Sequence, residues 1–236
     1  MTRADEERSE FRNAPDKEAY LRANSHLPGP RSNLELLGAA AEEVDEGWAR
    51  AWAARSAGDD PTDVFVISVA LVALGRFAAR GSAGTVELLR SRAADDEWRI
   101  REAVAMGLQR LGDHRPDELA LIAAEWSGSR DPLVARAAVA AVAEPRLLKT
   151  SAAVGAALGV LDNATRLVVA SANRRDEGVR VLRQALGYAW SVVIAADVDR
   201  GWPLFVEWSK SGDPDVAWIV RENLKKNRLV RLGLQL

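Results

Sequence analysis

Hydrophobic positions recur every three or four residues over much of this chain. In the stretch Trp98, Ile100, Ala103, Val104, Met106, Leu108 and Leu111 they form one stripe, with Glu97, Arg99, Glu102, Gln109 and Arg110 between them. That spacing predicts an amphipathic helix, because a half-buried strand would alternate. From Val64 to Ala79 the chain is apolar with few interruptions, a run too long for a typical strand and therefore read as a fully buried helix. The resulting map is an acidic helix over 4–24, a loop over 25–32, a long helix over 33–56, and helix pairs beyond. Ser32 followed three residues later by Glu35 reads as a capping box opening the long helix. Pro28 and Pro30 around Gly29 make the preceding loop a stiff connector.

Composition strengthens the helical reading. The chain holds 42 alanines against four phenylalanines and two tyrosines, a bias toward an all-α fold, since alanine favours helices while strands favour aromatic and β-branched residues. With no cysteine, disulfide frameworks, CxxC redox chemistry and thiolate zinc sites are excluded. The two histidines, His26 and His114, both fall in expected loops; no metal and no cofactor are expected. Gly81-Ser82-Ala83-Gly84-Thr85 lacks the lysine and the preceding strand of a phosphate loop.

The formal net charge of −2 gives no global field for nucleic acid, but the ends differ in sign. Residues 1–60 carry thirteen acidic against eight basic groups, whereas 217–236 carry Arg221, Lys225, Lys226, Arg228 and Arg231 against Glu222 alone. The charged start has no apolar signal region, and the run from Val64 to Gly75 falls short of the roughly 18 residues that span a bilayer. No membrane contact and a cytoplasmic location are therefore expected.

Internal repetition is the most informative feature. Glu125-Trp126-Ser127-Gly128-Ser129-Arg130-Asp131-Pro132-Leu133-Val134 recurs 82 residues on as Glu207-Trp208-Ser209-Lys210-Ser211-Gly212-Asp213-Pro214-Asp215-Val216. Weaker copies surround Glu97, Asp176 and Asp60, so that β-branched anchors fall at 64, 100, 134, 179 and 216. Each unit reads as a helix, a short turn and a second helix, with aspartate as the cap and proline in the first turn. Pairs this small cannot bury their own apolar faces and must stack. Trp126 and Trp208, at equivalent positions, are expected to fill the same inter-helix pocket, and Trp48 with Trp52 to pack in a helix core.

The run Asp131-Pro132-Leu133-Val134-Ala135-Arg136-Ala137-Ala138 and the period resemble the HEAT-repeat family over residues 60–227. Segments 25–36, 186–193 and 218–229 look like a widespread bacterial HEAT-repeat family of unassigned activity. The resemblance implies a right-handed α-α superhelix, with residues 1–32 as an acidic N-terminal helix and Pro/Gly loop and 33–236 as the HEAT-like repeat domain. It further implies a non-enzymatic scaffold whose concave face, built from second helices, binds a macromolecular partner. Arg101, Arg136, Arg180, Arg183, Arg221 and Lys225 all fall on expected second helices. A protein partner is expected, with nucleic acid as the second class; the same arginines could instead pair with the capping acids.

The alternative is DNA binding, because HEAT-like solenoids include the alkylpurine glycosylases of DNA-alkylation repair. Trp98 and Glu102 lie four apart on one helix face and Arg136 follows one repeat later, so Glu102 would serve as the acid and the indole would attract a cationic base. Trp98-Arg99-Ile100-Arg101-Glu102 departs from that family's Trp-Asp-x-x-Asp segment: it lacks the first acid and has glutamate at the last position.

Overall fold

The computed structural model describes residues 3–236, and Met1 and Thr2 of the expected 1–32 segment lie outside it. Among the described residues the chain is all-α, with fourteen α-helices, one 3₁₀ turn at Pro145–Leu147 and no strand. Packing divides it into two compact units, the first ending at His114 and the second beginning at Arg115.

The first unit contains α1 (Arg3–Asn13), α2 (Lys17–Asn24), α3 (Leu34–Glu43), α4 (Glu46–Ala53), α5 (Asp63–Ala79), α6 (Thr85–Ser91) and α7 (Trp98–His114). Two expected long helices are broken. The first stops before Pro15, and Asp16 starts α2 by accepting the Ala19 N–H at 3.0 Å. The second breaks at Val44, after which Asp45 caps α4 by accepting the Trp48 N–H at 2.8 Å. In both cases an acidic side chain satisfies a donor that the first helical turn leaves orphaned. The expected capping box is also corrected: Asn33, not Ser32, caps α3, accepting the Leu36 N–H at 3.1 Å, while Glu35 pairs with Arg3 at 2.7 Å.

Helix α5 is the centre of this unit. Every residue from Val64 to Gly75 is buried, and the helix packs against α3, α4 and, most extensively, α7. At the α5–α7 crossing two glycines meet, and a Cβ on Gly75 would lie 1.8 Å from the Gly107 carbonyl oxygen. Trp52 is buried while Trp48 is partly exposed, their ring centroids 6.0 Å apart.

Glu43 clamps α1 to α3, accepting from Arg12 at 2.7 Å and from Arg8. The Arg12 hydrogen bond, reinforced by Arg8 and by the charges of both, holds the carboxyl at about 2, below its usual 4.5. A depressed carboxyl contributes stability above the unfolded value and loses it as pH falls through the folded one. The melting temperature of the native chain should therefore exceed that of Glu43→Gln at neutral pH, and the difference should close between pH 4.5 and 2. A difference that does not change with pH would show that the clamp is not ionic.

The second unit contains α8 (Pro116–Ser127), α9 (Pro132–Val142), α10 (Ser151–Ala170), α11 (Glu177–Ala196), α12 (Val198–Ser209), α13 (Pro214–Leu224) and α14 (Asn227–Arg231). Asp131, Asp176 and Asp213 cap α9, α11 and α13 through the N–H groups of Leu133, Val179 and both Asp215 and Val216. Pro132 and Pro214 occupy first turns, where the missing N–H costs nothing. The two equivalent tryptophans differ: Trp126 is buried, but Trp208 is only partly buried and its indole N–H donates to Asp162 at 3.0 Å.

Asn223 ties α13 to α11. Fully buried, it accepts the Ser191 N–H at 2.8 Å and donates to the Leu186 and Ile219 carbonyls, each at 2.8 Å. Among the described residues one helix, Ser151–Ala170, is long and apolar enough to cross a membrane by length and composition, with 44% of that window buried inside the protein.

Candidate functional site

The loop between α2 and α3 is pinned from both ends. Ser25 is buried; its hydroxyl accepts the Leu27 N–H at 3.1 Å and donates to the Arg22 carbonyl. Asn33 donates its backbone N–H to the Ser25 carbonyl, and its side-chain amide reaches Asn24 and Glu7. Between these ties His26 adopts a left-handed φ of 63°, Leu27–Pro28 is cis, and Gly29 N–H donates back to the His26 carbonyl at 2.8 Å. A Cβ at Gly29 would meet that carbonyl oxygen at 2.4 Å, so the turn needs glycine.

Arg99 on α7 reaches across to this loop and donates to the Gly29 carbonyl at 3.3 Å. Loop residues His26, Pro30, Arg31 and Ser32 line an open cavity of about 550 Å³ within the first unit. Its apolar lining includes Leu34 and Leu37 of α3 and Trp98, Ala103 and Met106 of α7. Two of these are large apolar side chains open to solvent: Leu34 is 62% exposed and Trp98 54%. Exposed apolar groups of this size converging on one concavity mark a binding site more often than isolated ones do.

The polar groups around the cavity are mostly engaged already. Glu35 is held by Arg3 at 2.7 Å, and Glu102 interacts within the protein. The Arg99 guanidinium lies 4.5 Å from the Trp98 ring centroid and 3.6 Å from Glu97, whose carboxylate accepts the Arg99 backbone N–H. His26 and Arg31 are exposed on the loop and line the cavity.

Of the sequence-derived constellation, Trp98 and Glu102 share one wall of this cavity. Arg136 lies on α9, in the second unit, partly exposed and engaged within the protein. The expected basic face is dispersed into different roles. Arg101 is only 6% exposed, and its guanidinium donates to the Asp95 and Asp96 carbonyls, fastening the turn before α7. Arg183 bridges Asp215 at 2.6 Å and stacks over Trp218 at 4.7 Å, and Lys225 pairs with Glu222 at 2.7 Å. Arg180 and Arg221 are exposed.

Sequence reasoning missed Arg174, which bonds both Asp213 and Asp215 and thereby holds the Asp213 carboxyl below its usual range. It also missed Arg31, His26 and Leu34 as site residues; the only sign was the Pro/Gly loop that carries or adjoins them. Among the described residues no group of three or more His, Asp or Glu is placed to hold a metal ion.

No family model matches the sequence, and no curated protein matches it. Among solved structures it is similar to crystal structures of two engineered proteins from the Northeast Structural Genomics Consortium. One is 18% identical with a TM-score of 0.36, covering 95% of this chain and 96% of that one. The other is 15% identical with a TM-score of 0.38, covering 95% and 98%. Likeness at this level transfers no activity, and the chain stands as an all-α protein with an open, aromatic-rimmed cavity in its first unit.

Proposed function

We propose that this chain is a non-enzymatic binding protein, a right-handed superhelix of HEAT-like helix pairs in the cytoplasm, that holds a protein partner. The partner-binding face includes α7, and the cavity beside it receives an apolar side chain of the partner. The exposure of Trp98 next to Leu34 carries this reading, because a large indole left in water at the mouth of a concavity is a typical binding anchor. The recurring aspartate caps at 131, 176 and 213 support the repeat architecture. Catalysis is less well supported, since Glu102 is already engaged.

The test is selection of a displayed peptide library on the native chain, followed by affinity measurement against Trp98→Ala. Enriched peptides should lose about 30-fold or more in affinity, the effect of removing a binding hot spot of about 2 kcal/mol. Unfolding of the variant should stay close to that of the native chain, as the indole is more than half exposed. Failure to enrich peptides, or enriched peptides indifferent to Trp98→Ala, would refute the reading.

A second reading, DNA binding akin to the alkylpurine glycosylases with Glu102 as acid and Arg136 as a phosphate contact, is favoured by Trp98 lying open four residues from Glu102. Against it, Arg99 already presents a cation to that ring, and Arg101, Arg183 and Lys225 are committed to carbonyls or carboxylates. Fluorescence anisotropy with plain and alkylated duplex at about 50 and 200 mM salt tests it, because phosphate-driven binding weakens steeply over that range. Salt-sensitive binding with base release abolished by Glu102→Gln would establish it; no binding at low salt would remove it.

A further inference from the structure

The chemistry of the occupant can be narrowed from the polar groups that surround the cavity, an inference that rests on reading the cavity as a binding site. Three arginines (Arg3, Arg31, Arg99) and two glutamates (Glu35, Glu102) line it, together with His26. Arg3 and Glu35 neutralise one another, Arg99 is used by the Gly29 carbonyl, Glu97 and the Trp98 ring, and Glu102 is engaged within the protein. What is left for a ligand is the positive guanidinium of Arg31, with the imidazole of His26 beside it on the same loop. Helices α3 and α7 both begin at the cavity, but their first turns are already met by Asn33 and by the Glu97 carboxylate, which leaves Arg31 as the group to be answered. A cationic ligand is disfavoured because Arg99 already stands over the indole, leaving less attraction for a second cation.

We propose that this cavity binds a carboxylate carried on an apolar, preferably aromatic, body. The carboxylate pairs with Arg31 at the loop, where a guanidinium can offer two parallel N–H donors. The apolar body covers Leu34 and the indole of Trp98, the two large apolar groups of the cavity that the free protein leaves exposed, and reaches the partly buried Met106. A volume of about 550 Å³ suits a ligand of this size. The C-terminal residue of a peptide and a free aromatic acid both provide this chemistry.

The test uses the full chain labelled with ¹⁵N. The indole N–H signal of Trp98 is identified by its loss in Trp98→Phe. The probes are N-acetyl-L-phenylalanine, its neutral amide, 3-phenylpropanoate and phenyl phosphate. The acids should shift the Trp98 indole signal and the backbone signals of Leu34 and Arg99, with the amide at least about tenfold weaker, as expected for loss of a hydrogen bond to a charged group. Arg31→Gln, at an exposed position, should remove the difference between acid and amide without disturbing the remaining spectrum. Tighter binding of N-acetyl-L-phenylalanine than of 3-phenylpropanoate identifies a chain terminus as the source, and equal or reversed affinity a free acid; both support the proposal. Equal binding of acid and amide, with both lost in Trp98→Ala, overturns the carboxylate while leaving the cavity as a binding site. Preference for phenyl phosphate also overturns it. If no probe shifts these signals the carboxylate inference fails, and the displayed peptides decide separately whether the cavity binds at all.

Discussion

Gly75→Ala should destabilise the first unit by about 3 kcal/mol or more, at the upper end of overpacking costs. The added methyl would sit 1.8 Å from the Gly107 carbonyl oxygen and 2.6 Å from its carbon. Those atoms belong to a helix backbone and cannot swing aside as a side chain can, so α5 and α7 must separate along the most extensive helix contact of the unit. Alanine's better helix propensity works the other way, by about 1 kcal/mol, and is outweighed. Gly159 on α10 is the control, since a Cβ there meets nothing within 4 Å; its replacement by alanine should stabilise slightly. Urea unfolding of both variants decides the matter, and a Gly75→Ala midpoint equal to the native one would mean that the helices do not cross this closely.

The second large effect is expected at Asn223. Changing it to leucine keeps much of the volume but removes the acceptor for the Ser191 N–H and the donors to the Leu186 and Ile219 carbonyls. A buried group left without its partner costs about 1–3 kcal/mol, and two groups on α11 are affected together. The variant should lose about 3 kcal/mol or more, with hydrogen exchange at Ser191 accelerated beyond the change at neighbouring α11 amides. A melting temperature within a degree of the native value would show that α11 satisfies its own backbone there.

What could be read from the sequence followed from local chemistry. The long apolar run from Val64, interrupted by Ser68, announced a buried helix because it is too long for a typical strand, and the Asp-Pro pairs announced caps because the capping geometry is set within three residues. The break at Val44 falls within Glu42-Glu43-Val44-Asp45-Glu46, a run with no Gly or Pro to mark the end of a helix. Asn33 prevailed over Ser32 as the cap alongside bonds to Asn24 and Glu7, partners that no local motif reveals.

The candidate site was half legible. Trp98 and Glu102 could be paired from their spacing, but the indole's exposure could not, since a tryptophan beside an apolar anchor looks like core. Arg101 looked like surface charge, yet its partners are backbone carbonyls, which carry no sequence signature. The loop that completes the cavity meets α7 through a contact spanning 70 residues of chain, a separation at which periodicity has nothing to say.

The central position of α5 also sets an order of events during synthesis. Emerging from the ribosome, the segment from Val64 to Gly75 can lean on α3 and α4, but its largest neighbour, α7, is completed only at His114. Until then the most apolar stretch of the unit lacks its main cover, which makes it the natural place for a chaperone to act on the nascent chain. Slowing translation before α7 has left the ribosome would prolong that exposure, whereas a pause after α7 has emerged would come once the first unit can already close.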